Sequence, residues 1–274
     1  MGAPQCLASL NKIFTMPRFA ANLTFLFTEL PFMERFEAAA KAGFKAVEYM
    51  APYPYAATEI KAALQVNGLT QALFNLPAGD WDSGERGLAC LPGREAEFKA
   101  GVASAISYAH ALDCKKINCL SGKLPAGVTR EQAQATLVSN LTYAASELKK
   151  AGVLCVMEPI NSFDIPGYFV NRTMEALAIF DQIDSDNLKV QYDIYHAQRM
   201  EGELGNTLKN YLPRIGHIQL ADNPGRNEPG SGEINYPWLF KHIDALGYDG
   251  WIGCEYKPKT TTVNGLGWMT ALTK

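Results

Sequence analysis

The sequence has few charged residues, and their signs nearly balance. Charged side chains make up 19% of the 274 residues and hydrophobic ones 47%, which excludes intrinsic disorder and a coiled-coil rod. Lysine and arginine number 25 and aspartate and glutamate 28, so the formal net charge is −3. This balance provides no general basic surface for a phosphate backbone, and we predict that the protein does not bind nucleic acid.

The sequence also lacks export signals and the cysteine spacing of a zinc or thioredoxin-like motif. No apolar run approaches the roughly 20 residues that span a membrane, and Met1 to Thr15 has no signal-peptide core. None of the six cysteines forms a Cys-x-x-Cys pair, and Cys119, Cys155 and Cys254 lie in apolar runs typical of buried thiols. We therefore predict a cytoplasmic protein that binds no membrane, with residues 1–15 as a disordered extension.

What the sequence does have is a regular alternation of short β-rich runs with longer amphipathic ones. Eight runs are predicted strands: Arg18–Leu23, Phe44–Tyr49, Leu69–Asn75, Lys116–Leu120, Val153–Glu158, Leu188–Asp193, Ile215–Leu220 and Trp251–Glu255. Eight β-α units in this length predict an α/β fold, a single (β/α)8 TIM barrel over residues 16–274. The first turn, Asn22 to Phe25, has no glycine, which argues against a dinucleotide-binding sheet.

Helices and one long loop separate the strands. The predicted helices are Phe32–Ala42, Thr58–Asn67, Arg94–Leu112, Arg130–Ala151, Thr173–Ile183, a helix around Leu204–Leu212, and Trp238–Leu246. Glycines such as Gly43, Gly68 and Gly152 end three of them. The loop Leu76–Pro92 is longer than an ordinary connection, and loops of that kind are often functional lids.

Polar side chains lie at or near the ends of six strands. They are Glu48, Asn75, Glu158, Asp193, Gln219 and Glu255. The C-terminal ends of barrel strands meet on one face, where active sites lie, so we predict that these side chains converge. Carboxylates crowded there repel one another, and taking each from water costs several kcal/mol, so three acids together require a cation.

The ligand atoms predict the type of metal. Glu158, Asp193 and Glu255 supply carboxylate oxygens, and Gln219 supplies an amide oxygen. Hard oxygen ligands with positions left for water or substrate suit Mg²⁺ or Mn²⁺. We therefore predict a divalent metal site on these four residues, with Mg²⁺ or Mn²⁺ as the cofactor.

Other polar residues admit two interpretations each. His196 follows Asp193 by three residues, and it is either a substrate-contacting or a structural histidine. Arg226 lies in a turn beyond the seventh strand, and it either contacts substrate or is solvated. His217 faces the same side of its strand as Gln219, where structural and supporting roles are both open. Glu48 and Asn75 at their strand ends are predicted substrate-binding residues, with a solvated rim position as the alternative for Glu48.

Several longer motifs resemble the hydroxypyruvate isomerase family of xylose-isomerase-like barrels. They are GEINYPWLF from Gly232, GYDGWIGCEYKP from Gly247, FAANL from Phe19, Gly87-Leu88 with LPGR from Leu91, and Glu158-Pro159-Ile160-Asn161. The resemblance runs from about Met16 to Trp268. It implies a barrel fold, an aldose-ketose type isomerase activity and a small hydroxy- or oxo-acid substrate. The sequence is compatible with a homo-oligomer but defines no oligomeric state.

The resemblance also implies roles for individual residues. Two catalytic glutamates fall on Glu158 and Glu255. Related ketose 3-epimerases use these two glutamates as metal ligands with an aspartate, here Asp193, and a histidine, whose position Gln219 occupies. The epimerases place substrate-contacting residues at His196 and Arg226.

The family implies two substrates. One branch interconverts hydroxypyruvate and 2-hydroxy-3-oxopropanoate (tartronate semialdehyde), and the other isomerises 2-oxo-tetronate. In both, a metal that chelates two substrate oxygens would stabilise an enediolate while Glu158 and Glu255 move protons. Among Arg226, Lys123 and Lys257 as binders of the substrate carboxylate, the guanidinium of Arg226 is favoured.

Other readings of the barrel remain open. They are an inosose-type dehydratase, a ketose 3-epimerase, a non-catalytic sugar-binding barrel and a trinuclear zinc phosphodiesterase. The last needs many histidine ligands, and the chain has four histidines.

Overall fold

Eight parallel strands close into a barrel in the computed structural model, which describes residues 17–273. Their hydrogen-bonded order follows the sequence from β1 to β8, and β8 pairs back onto β1. The strands are β1 Arg18–Asn22, β2 Ala46–Tyr49, β3 Thr70–Asn75, β4 Lys116–Asn118, β5 Leu154–Met157, β6 Leu188–Asp193, β7 Ile215–Leu220 and β8 Trp251–Cys254. The predicted (β/α)8 barrel is confirmed. The predicted extension over residues 1–15 lies outside the described residues.

Helices surround the barrel. They are α1 Arg35–Lys41, α2 Ala57–Asn67, α3 Glu95–Leu112, α4 Arg130–Lys150, α5 Thr173–Phe180, α6 Ile194–Met200, α7 Leu204–Tyr211, α8 Tyr236–Leu246, α9 Thr262–Gly265 and α10 Trp268–Ala271, with 3-10 turns at Phe32–Glu34 and Leu212–Arg214. Between residues 17 and 273, no helix has both the length and the hydrophobicity needed to cross a bilayer.

Local sequence signals fix the helix ends. The side chain of Thr129 accepts a hydrogen bond from the backbone N–H of Gln132, and this capping box starts α4. Gly68 and Gly247 end α2 and α8 in the left-handed conformation that favours glycine. The main hydrophobic core lies between the outward faces of the strands and the inward faces of the helices.

The predicted strand bounds are close to those observed, whereas the short helices α6, α9 and α10 were not predicted. Strands β6 and β7 have the predicted bounds, and the other six differ by one or two residues at an end. The sequence analysis did not predict α6, which follows β6 without a loop. Its start is set by Asp193, whose side chain accepts a hydrogen bond from the backbone N–H of Tyr195 as an N-cap.

The barrel interior is apolar at one end and polar at the other. Ala20, Ala46 and Ala72 form a small separate cluster packed against Trp251 near the strand beginnings. Asn22 follows Ala20 by two residues on β1, and Glu48 follows Ala46 by two residues on β2, so both side chains also point into the barrel. Gly253 on β8 leaves the space that the buried carboxylate of Glu48 occupies, because a Cβ at Gly253 would lie 2.2 Å from Glu48 Oε1.

The Gly253→Ala substitution should therefore destabilise the protein by at least about 2 kcal/mol, since overpacking a buried site forces its neighbours to move. Chemical denaturation measures the effect. The matched control is Gly267→Ala, because a Cβ there meets no atom within 4 Å. Equal stability of the two variants would contradict the tight contact between Gly253 and Glu48.

Candidate active site

A cavity of about 500 Å³ opens at the C-terminal ends of the strands. Six residues that the sequence analysis singled out line it: Asn75, Glu158, His196, Arg226, Glu255 and Lys257. Lys123 is not among the lining residues. Side chains from strands distant in sequence thus meet at the face where (β/α)8 enzymes carry their active sites.

Four buried residues in and beneath this cavity could hold a metal ion. Glu158, Asp193, His196 and Glu255 each offer one ligand atom, and these atoms all lie within 4.8 Å of one another. Three of the four are acids, so a bound cation would relieve their mutual repulsion.

Two carboxylate oxygens in this cluster accept no hydrogen bond, although His196 Nε2 lies 3.5 to 3.6 Å from each. Glu158 Oε1 and Asp193 Oδ2 are buried and without a partner among residues 17–273. The other oxygen of Asp193 caps α6, and Glu158 Oε2 accepts hydrogen bonds from Asn118 and Gln191. Unpaired anionic oxygens in a buried position are costly, so this pair fits a cation.

Glu255 has both oxygens occupied. Its Oε1 accepts a 2.6 Å hydrogen bond from Arg226, and its Oε2 accepts hydrogen bonds from Asn22 at 3.0 Å and Gln219 at 2.7 Å. Arg226 also lies 3.3 Å from Asp164. The guanidinium therefore neutralises acids that belong to the protein itself.

Gln219 lies in the site but presents its nitrogen to the acids. Its Nε2 donates to Glu48 Oε1 and Glu255 Oε2, both at 2.7 Å, and its Oε1 accepts a 2.6 Å hydrogen bond from Gln191. Because the carboxylate oxygens accept, the amide nitrogen faces them. This arrangement does not bring the Gln219 oxygen to the cluster as the predicted metal ligand.

The hydrogen bonds of His196 define its tautomer. Asn161 Oδ1 accepts from the backbone N–H groups of Phe163 and Asp164, so its Nδ2 faces His196 Nδ1 at 2.6 Å. The shorter contact makes Nδ1 an acceptor, which assigns the proton of the neutral ring to Nε2. Nε2 points to the cluster, 3.5 Å from Glu158 Oε1 and 3.6 Å from Asp193 Oδ2, and Arg226 Nη2, a competing donor, lies 3.5 Å from the same nitrogen.

Glu48 lies beneath the cavity instead of in its wall. It is completely buried and is not among the lining residues. Its Oε2 pairs with His217 Nε2 at 2.7 Å, and its Oε1 accepts hydrogen bonds from Asn22 and Gln219. The sequence predicted Glu48 as a substrate-binding residue, but the structure places its side chain below the cavity. There it pairs with His217 inside the barrel.

Three amide side chains of this network escaped the sequence analysis. Asn22, Asn118 and Gln191 donate hydrogen bonds to Glu48, Glu158 and Glu255. Asn22 and Asn118 are the last residues of β1 and β4, so the strand-end signal used for six strands would have found both. Gln191 precedes Asp193 by two residues and shares its face.

Burial changes the proton affinity of the cluster. It raises the pKa of Asp193 to about 6 and that of Glu255 to about 8. Burial, with repulsion by Glu255 and Asp193, raises the pKa of Glu158 well above its usual range. Burial, with Arg226 and Arg199 nearby, lowers the pKa of His196 well below its usual range, so this ring is neutral at pH 7.

The chain is similar to proteins of known family. It matches the family model described as Xylose isomerase-like TIM barrel over residues 36–272. It is 59% identical over 254 residues to a hydroxypyruvate isomerase of Escherichia coli (strain K12), covering 93% of this chain and 98% of that protein. It is 51% identical, with the same coverage, to a 2-oxo-tetronate isomerase of Cupriavidus necator.

A solved structure shares the fold closely. The crystal structure of a protein described as AP endonuclease, family 2, from Brucella melitensis has a TM-score of 0.91. The two sequences are 44% identical, and the match covers 94% of this chain and 100% of that one.

The raised acid pKa values predict that the metal-free protein loses stability as pH rises. Below about pH 4 these carboxyl groups are protonated in both the folded and the unfolded state. Above it the unfolded chain ionises first, so the free energy of unfolding falls until the pH passes the folded pKa values of about 6 and 8. We expect the melting temperature in chelator to drop by several degrees between pH 5.5 and 8.5.

Calorimetry checks this expectation. The Asp193→Asn variant keeps an N-cap for α6 but removes one buried charge, so its melting temperature should depend less on pH. A wild-type melting temperature that stays constant or rises over this pH range would show that burial does not raise the pKa values of these acids.

Proposed function

Since the chain belongs to the xylose isomerase-like TIM barrel family, we propose that it is an isomerase that interconverts hydroxypyruvate and 2-hydroxy-3-oxopropanoate. The observation that carries this proposal is the meeting of Glu158 and Glu255, from the ends of β5 and β8, in one cavity. The 59% identity to a protein named hydroxypyruvate isomerase supports it.

The reaction moves hydrogen between two neighbouring carbons. One proton leaves the hydroxymethyl carbon of hydroxypyruvate, another is added to the former carbonyl carbon, and the hydroxyl proton passes between the two oxygens. Glu158 and Glu255 can act as base and acid on this substrate because their carboxyl groups enter one cavity from different strands.

His196 supplies a hydrogen bond to the reacting oxygens. Its neutral ring directs the Nε2 proton toward the cluster, with Asn161 fixing the tautomer. A donor placed there stabilises negative charge as it develops on a substrate oxygen. We therefore keep His196 as a substrate-binding residue and Arg226 as the residue that holds Glu255 in position.

The unpaired oxygens of Glu158 and Asp193, with Glu255 beside them, would hold the divalent cation. A bound Mg²⁺ or Mn²⁺ would acidify the C–H bond of the hydroxymethyl carbon and stabilise the negative charge that develops when its proton leaves. The oxygen-rich donor set favours these ions.

A second substrate, 2-oxo-tetronate, is supported by the size of the cavity. A further cavity of about 640 Å³ adjoins the first, and the two share Met50, Asn75 and Trp81 as lining residues. This space accommodates a fourth carbon, and a relative at 51% identity is named 2-oxo-tetronate isomerase. Comparing kcat/KM for the two acids decides which is preferred.

The cellular setting remains a proposal. Cys90, Cys114, Cys119, Cys155 and Cys254 are buried free thiols, which suits a reducing cytoplasm. We expect a small acid as the ligand and neither nucleic acid nor a membrane as a partner.

The Glu158→Gln variant should lower kcat by at least about a thousandfold with the fold intact, because an amide can neither take nor return the proton. Nuclear magnetic resonance in deuterated buffer follows turnover and the entry of deuterium into both carbons. Asp164→Asn, an acid in the same cavity but outside the cluster, should cost no more than about tenfold. Near-normal exchange in Glu158→Gln, or loss of water from the substrate, would contradict an isomerase with this base.

Removing the metal should abolish turnover. Protein dialysed against chelator should regain activity with Mg²⁺ or Mn²⁺, and calorimetry should show that Asp193→Asn weakens binding of the ion by at least about tenfold, the loss typical of a missing charged ligand. Full activity after dialysis, with no gain from added ions, would refute the metal site.

A further inference from the structure

The cavity holds three cationic side chains, and they differ in what they already bind. Arg226 is paired with Glu255 at 2.6 Å and Asp164 at 3.3 Å, so its charge is compensated within the protein. Lys257 is exposed at the rim. Arg86, on the long loop after β3, lines the same cavity.

Arg86 has no acidic partner. Within residues 17–273, no carboxylate oxygen comes within the 4.0 Å of an ion pair with its guanidinium. Its Nη1 donates to the carbonyl oxygens of Trp81 at 2.8 Å and of Glu85 at 2.6 Å. The guanidinium lies 3.7 Å from the centre of the Trp81 ring. The edge formed by Nε and Nη2 is therefore left for a ligand, and it has the fork geometry that matches a carboxylate.

Both chain neighbours of Arg86 are anchored. Glu85 Oε1 forms a 2.8 Å ion pair with Arg94 at the start of α3. Gly87 donates its N–H to the carbonyl of Ala78 at 2.9 Å, and its φ of +117° lets the backbone lie against Leu120, where a Cβ would be 2.4 Å from the carbonyl oxygen. The loop thus holds Arg86 in place before a ligand arrives, which lowers the entropic cost of binding.

We propose that Arg86 binds the carboxylate of the substrate. This inference rests on the proposed function, since it takes an oxo-acid as the ligand. The reacting carbons must lie between Glu158 and Glu255, so the carboxylate end of the substrate extends into the rest of the cavity, which Arg86 lines. Arg86 supplies the uncompensated planar cation, and Trp81 stacks on it and keeps its orientation. Arg226, favoured by the sequence for this role, is a positioning residue for Glu255.

The experiment compares Arg86→Gln and Arg86→Lys with Lys257→Gln, the matched loss of charge at the rim, in the full chain with Mg²⁺. Two quantities are measured: KM and kcat for hydroxypyruvate, and the calorimetric Kd for glycerate, which has the carboxylate but no ketone. Dihydroxyacetone, the uncharged counterpart of hydroxypyruvate, serves as a neutral substrate. Equal melting temperatures verify folding.

We expect Arg86→Gln to raise both KM and the glycerate Kd by about 10- to 100-fold, the value of a charged bidentate hydrogen bond, with kcat nearly unchanged. Arg86→Lys should raise the two constants by a smaller factor, and Lys257→Gln should change each of them by less than about threefold. Any turnover of dihydroxyacetone should be the same in the wild type and in Arg86→Gln. A glycerate Kd that is unchanged in Arg86→Gln, a larger loss in Lys257→Gln, or no glycerate binding by wild type would overturn the inference.

The two proposals can fail separately. Turnover of hydroxypyruvate with an unchanged KM in Arg86→Gln would support the isomerase activity and refute the role of Arg86 in binding the substrate. Glycerate binding that depends on Arg86, without isomerisation by wild type, would support this carboxylate site and refute the activity.

Discussion

The crowding of buried carboxylates at one end of the barrel is the constraint on which the rest of the site depends. Glu48, Glu158, Asp193 and Glu255 come from four strands and are all buried. Hydrogen bonds from asparagine and glutamine amides offset part of the desolvation, and Arg226 offsets part of the charge. What remains unpaired, Glu158 Oε1 and Asp193 Oδ2, defines where a cation fits and where chemistry can occur.

Gln219 shows how one substitution adapts such a network. The resemblance to ketose 3-epimerases implies a histidine ligand at this position, and a ring nitrogen there could ligate a metal. The amide nitrogen of Gln219 instead donates to two carboxylates at once, Glu48 and Glu255. A primary amide has two N–H groups on one atom, which a neutral imidazole does not. In this chain the side chain at this position therefore donates hydrogen bonds to two acids, and its oxygen is turned toward Gln191.

The fold and the set of strand-end residues could be predicted from sequence because both follow from simple periodicity. Alternating runs define the strands, and the convergence of their C-terminal ends brings Glu158 and Glu255 together in any closed barrel. The orientation of an amide such as Gln219, the depth of Glu48 and the free edge of Arg86 depend on neighbours that are distant in sequence. No local pattern contains them, and Arg86 lies on a loop, where periodicity gives no information.

Asp193 connects the chemistry to the architecture through its two oxygens. One starts α6 and the other faces the cluster, while His196 lies in the first turn of that helix. The same hydrogen bond that starts the helix thus sets the separation between the free oxygen and the imidazole, which is 3.6 Å. An ion bound at that oxygen would lie beside a ring whose position the helix start has already determined.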